Sequence, residues 1–115
     1  MNWTTRLSDA ARNDFDQIVD WTVDQFGQAQ AIAYARALTA MLSELDEGPS
    51  QPGVKNRKDI GKGMFTLHIA RHGRKGRHFV VFRRVDQRAK ILEVLRILHD
   101  SMDLPRHLPM SEGEE

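Results

Sequence analysis

Two arginines and a histidine late in the chain, Arg83, Arg96 and His99, have the side chains best suited to act on a phosphate. An arginine fork can neutralise a phosphodiester, or grip a carboxylate, through two parallel hydrogen bonds. A histidine beside it could move a proton during phosphodiester cleavage. The more ordinary role for His99 is structural, with its ring bonding the backbone of the following turn.

Other cations surround these three. Lys55, Arg57, Lys58 and Lys62 lie in one stretch, Arg71, Arg74, Lys75 and Arg77 in a second, and Arg84 adjoins Arg83. Alternate residues of a strand share a face, so Arg83 and Arg96 are expected to line one sheet face with the loop lysines around them. Such a surface suits phosphate, or the acidic segment of a partner protein. The competing reading is a solvated sheet face with paired surface charges. Partner-binding candidates are therefore Lys62, Arg71, Arg74, Lys75, Arg77, Arg83, Arg96 and His99.

Metal and cofactor chemistry finds little support. Cysteine is absent, so thiolate zinc sites and disulfides are excluded. Among the five histidines, His68 and His72 are four apart, but on a strand and its turn, where that spacing does not converge as on a helix. The chain carries no Walker loop, GxGxxG, HExxH or GxSxG. No metal and no cofactor are expected.

These side chains need elements to position them. Residues 2–7 read as a short first strand. Ser8-Asp9 is a helix start, because the hydroxyl can accept a free backbone N–H and the carboxylate suits the positive end of the dipole. Phe15, Ile18, Val19, Thr22 and Phe26 follow helical spacing, with Asp14, Asp16, Asp20 and Asp24 largely off that stripe; Gly27 is a stop. Ala31, Tyr34, Ala35, Leu38, Met41, Leu42 and Leu45 mark a second helix, ending at Glu47-Gly48-Pro49. Residues 48–63 are a long loop rich in Gly, Pro and basic residues.

The remainder reads as strands. Phe65, Leu67 and Ile69 alternate with less apolar residues, whereas 78–85 and 90–98 are apolar on both faces and so central. Residues 99–108 suggest one short helical turn. The predicted order is β-α-α-β-β-β: an α+β fold with a helical hairpin packed on an antiparallel sheet. Residues 1–108 make one domain, and 109–115 a disordered acidic tail.

Composition agrees with a globular chain. Of 115 residues, 40% are hydrophobic and 29% charged. No apolar run is long enough to span a bilayer and no signal peptide is visible, so the expected location is cytoplasmic, with no membrane partner. The net charge of +1 hides a division. Residues 1–50 hold three Lys/Arg against eight acids, and residues 51–108 hold fourteen against five. One surface of the domain should therefore be positive.

The landmarks, taken in order, resemble the ParE toxins of the RelE/ParE superfamily. Leu7-Ser8-Asp9-Ala10-Ala11 is followed by Phe15 and Ile18, and Phe26-Gly27 precedes an Ala/Tyr-rich helix. Pro52-Gly53 lies in the loop, and His78-Phe79-Val80-Val81-Phe82-Arg83 resembles the central strand. Ile91 to Leu108, ILEVLRILHDSMDLPRHL, resembles the family's ending. The resemblance covers roughly residues 2–108. It implies the toxin of a bacterial type II toxin–antitoxin system, neutralised by a ParD-like antitoxin whose acidic C-terminal segment meets the basic face. It also implies DNA gyrase as the target, poisoned by binding, with no catalytic residues; direct nucleic-acid binding is left open but not favoured. The enzyme alternative is a RelE-like ribosome-dependent mRNA endonuclease using Arg83, Arg96 and His99. The only tyrosine, Tyr34, lies in the second helix, so no C-terminal tyrosine is present for that chemistry.

Overall fold

The computed structural model describes residues 3–101. Strand β1 (Thr4–Leu7) leads into helices α1 (Asp9–Phe26) and α2 (Gln28–Glu44), and a 3-10 turn (Leu45–Glu47) closes α2. Strands β2 (Lys55–Asn56), β3 (Met64–His68), β4 (His78–Asp86) and β5 (Ile91–His99) follow. The predicted α+β architecture is observed, with helix and strand bounds close to those expected. Residues 102–115, including most of the expected helical turn and the acidic tail, lie outside the described residues.

Local chemistry sets the hairpin. The Ser8 hydroxyl accepts the Ala11 N–H at 3.0 Å and donates to the Leu95 carbonyl at 2.9 Å. It thus caps α1 and ties the helix start to β5. Gly27, at φ 93°, ends α1 and begins α2 in a conformation that side chains with a Cβ resist.

The sheet order is β1-β5-β4-β3-β2. Strands β2 to β5 are antiparallel neighbours, but β1 pairs parallel with β5, Thr4 opposite Ile91 and Leu7 opposite Val94. The parallel edge follows from the crossover: the hairpin and meander return the chain beside its own start. The predicted loop also contains the two-residue β2, too short to leave a periodic signal.

One face of the sheet meets the helices. Ala11, Leu38, Met41 and Leu45 pack on Leu67, Ile69, Val80, Phe82, Leu92 and Val94, all at most 1% exposed. Truncating a side chain such as Leu38 to alanine would cost about 2–5 kcal/mol. A second cluster, Ile60, Met64, Val81 and Leu98, explains why β4 and β5 are apolar on both faces. Among the described residues, no helix is long and apolar enough to cross a membrane.

Candidate binding cleft

Where β4 begins and β5 ends, the sheet and both helices enclose an open cleft of about 680 Å³. Its walls are largely apolar. Ile18, Trp21 and Phe26 come from α1, and Ile97 and Leu98 from β5. Trp21 and Phe26 meet edge to face at 5.8 Å, yet are 56% and 62% exposed. The helical stripe therefore does not bury Phe26 as its spacing suggests. Two large aromatics in contact but left open to water mark an interaction surface more often than scattered apolar residues do.

The polar groups around the cleft are tied to one another. Arg96 donates Nε to Asp14 Oδ2 at 2.7 Å and Nη2 to Oδ1 at 3.0 Å. Asp14 Oδ2 also accepts the Ile97 N–H at 2.9 Å. This pair raises the Arg96 pKa through its hydrogen bond, against the opposing effect of burial. A β-irregularity between Val81 and Phe82 puts Val94 opposite Phe82 and Arg96 opposite Val81. The extra residue in β5 interrupts simple alternation there.

A second set joins α2 to the strands. The Tyr34 hydroxyl lies 2.7 Å from His78 Nδ1. Burial raises the Tyr34 pKa, while the Arg77 and His78 backbone N–H groups oppose that rise. Burial, with His99 close by, pushes the His78 pKa down to about 4. His78 is thus neutral near pH 7, so Nδ1 can accept the Tyr34 O–H. The His78 and His99 rings meet edge to face at 5.3 Å. Gly76 lets the preceding turn close here, because a Cβ at that position would meet Tyr34 Oη at 2.6 Å. His99 Nδ1 accepts the Ser101 N–H at 3.2 Å, the structural arrangement its sequence position suggests.

Asp100 gathers the remaining groups at the cleft mouth. It accepts Arg77 Nε at 2.9 Å and bonds His68 Nε2 at 2.9 Å. These contacts, Arg77 first, lower its pKa to about 2. Although paired with Asp100, Arg77 remains 67% exposed at its side chain and lies at the rim.

The candidate residues fall into separate places. Arg77, Arg96 and His99 line the cleft. Arg74 instead makes a two-pronged pair with Glu44 at 2.8 and 2.9 Å, joined by Arg71 at 3.6 Å. Lys75 is exposed on the same turn, and Lys62 is exposed near the start of β3. Arg83 bonds Glu93 at 3.0 Å and takes no part in the cleft. The expectation that Arg83 and Arg96 form one cluster is therefore not met: Arg83 lies opposite Glu93 and pairs with it, whereas beyond the strand irregularity Arg96 pairs with Asp14 on α1. No group of three or more metal-ligating carboxylates or imidazoles is found among the described residues.

Asp14, Tyr34 and His78 were not identified from the sequence. The available signal was an Asp beside an apolar helix stripe together with an Arg in a strand apolar on both faces. Each makes burial of the other tolerable.

The family model that describes the ParE toxin of the type II toxin–antitoxin system parDE matches residues 5–104. Toxin ParE1 of Caulobacter vibrioides is 35% identical over 105 residues, spanning 90% of this chain and 95% of that protein. A chromosomal ParDE system from P. aeruginosa matches in structure with a TM-score of 0.64 and 22% identity, covering 85% of this chain and 96% of that one. The toxin–antitoxin complex RelBE2 from Mycobacterium tuberculosis gives 0.58 at 19% identity, covering 86% and 99%. At these identities the two solved structures bear on the fold.

Proposed function

This chain belongs to the ParE toxin family of type II toxin–antitoxin systems, and from that premise we propose that it acts by binding and poisoning DNA gyrase. Cleaved DNA then accumulates and replication stops. A cognate ParD-like antitoxin holds the toxin inactive in the cytoplasm. The single observation that carries the antitoxin half is the open cleft rimmed by Trp21 and Phe26.

An antitoxin segment with an apolar face would cover the two aromatics, and a carboxylate on it would meet exposed Arg77. Desolvated aromatic anchors of this kind dominate protein interfaces. The cations first expected to receive an acidic segment are less free than their number suggests, since Arg71 and Arg74 already share Glu44. Binding without hydrolysis accords with the same pattern. Arg83 and Arg96 are held by separate carboxylates and are not gathered together beside His99.

The test incubates the purified chain with gyrase, ATP and relaxed plasmid. Trapped linear plasmid, suppressed by stoichiometric antitoxin, is the expected result. Normal supercoiling without trapped cuts at large toxin excess would reject gyrase as the target and turn attention to ribosome-dependent mRNA cleavage.

A further inference from the structure

The β4–β5 hairpin tip, at the end of the sheet opposite the cleft, has a different electrostatic character. Beyond Phe82 the chain leaves the core, and every residue from Arg83 to Lys90 is exposed. The hairpin closes on itself: Asp86 Oδ1 accepts the N–H groups of Arg88 and Ala89 at 2.9 and 3.0 Å. That carboxylate shapes the turn and, among the described residues, forms no ion pair with a side chain. The basic loop lies alongside, because the Arg84 N–H donates to the Gly63 carbonyl at 3.2 Å and the Arg57 N–H to that of Met64 at 2.8 Å. The Arg84 guanidinium rests over the Phe65 ring at 5.6 Å.

Segments 57–62 and 83–90 together hold seven Lys/Arg and two acids. Arg57 and Arg83 are paired, with Asp59 and Glu93. Lys58, Lys62, Arg84, Arg88 and Lys90 have no carboxylate partner among the described residues.

We propose that this tip binds the phosphate backbone of duplex DNA, with Lys58, Lys62, Arg84, Arg88 and Lys90 as its contacts. Unpaired cations on an exposed surface supply the sequence-independent, salt-sensitive attraction that backbone binding requires. An acidic peptide fits less well. Val85 is the one large apolar side chain exposed on the tip, so a strap would find little to anchor it. A-form RNA also fits less well. The B-form major groove admits a two-stranded ribbon, whereas the A-form groove is deep and narrow.

The test measures fluorescence anisotropy of a mixed-sequence DNA duplex of about 20 base pairs against the full chain over a salt series. Wild type is expected to bind with strong salt dependence. The triple variant K58Q/K62Q/R88Q should weaken binding at least tenfold and flatten the log–log salt slope by between about two and three. The control triple R12Q/R36Q/K75Q removes the same charge elsewhere and should change affinity less than about twofold. The charge-retaining K58R/K62R should bind like wild type, separating lost charge from lost fold. Absence of wild-type binding at low salt, or equal weakening by the two triples, would overturn the proposal. So would an RNA duplex or polyglutamate binding as tightly as DNA. Gyrase is absent from this assay, so failure here is distinct from failure of the gyrase reading.

Discussion

The two ends of the sheet both carry cations and use them in opposite ways. At the cleft end each arginine has a carboxylate: Arg74 has Glu44, Arg77 has Asp100 and Arg96 has Asp14. There the charges fix the geometry of an apolar surface. At the hairpin tip five cations have no such partner among the described residues. There the charges are the surface. A basic half of a sequence therefore says less about a partner than the pairing of each cation does.

The comparison breaks most sharply at Asp14. Asp14→Ala would leave the Arg96 fork and the Ile97 N–H without their acceptor. Removing one partner of a buried pair costs about 3–5 kcal/mol; with Arg96 about a quarter exposed, the lower end, about 3 kcal/mol, is expected in urea unfolding. Lys62→Gln at the tip should stay within about 0.5 kcal/mol. Equal losses would mean that the tip cation is structural as well.

A smaller effect separates the ends by pH. The folded His78 pKa, about 4, lies below its ordinary value of 6.5. Between those values the unfolded chain binds more protons, so folding stability rises with pH across that window and is lost on acidification from pH 6.5 to 4. Allowing for partial exposure of the ring, the loss is on the order of 1–2 kcal/mol. His78→Gln should flatten this part of the stability profile, followed by chemical denaturation. An unchanged slope would show that another group titrates there. Asp100, with its pKa near 2, acts in a more acidic range, losing its contribution as pH falls from 3.8 through 2.

The helical hairpin and the meander were legible because apolar residues recur with a period, 3.6 along α1 and α2 and 2 along β3, although β3 is buried on both faces from Met64 to Leu67 rather than half-buried as its alternation suggests. The Ser8 cap and the Gly27 turn were legible because each is local chemistry. What could not be read is what long-range pairing decides. Asp14 and Arg96 are 82 positions apart, and Tyr34 and His78 are 44 apart. Asp14 is polar, so a hydrophobic pattern assigns it to solvent, whereas its partners hold it 7% exposed. Phe26 failed in the opposite sense. Its spacing continues the apolar stripe, but α1 has passed the edge of the core by that point. The parallel pairing of β1 with β5 was likewise unreadable from four residues.

On the proposed function the two ends serve different partners, with the cleft seating the antitoxin. The most direct measurement is calorimetric binding of the cognate antitoxin to the W21A/F26A variant and to K58Q/K62Q/R88Q. Loss of two exposed aromatic anchors should weaken binding at least tenfold, while the tip variant should stay within about twofold of wild type. Weakening by the tip variant, with the cleft variant binding normally, would contradict the account and place the antitoxin on the basic end.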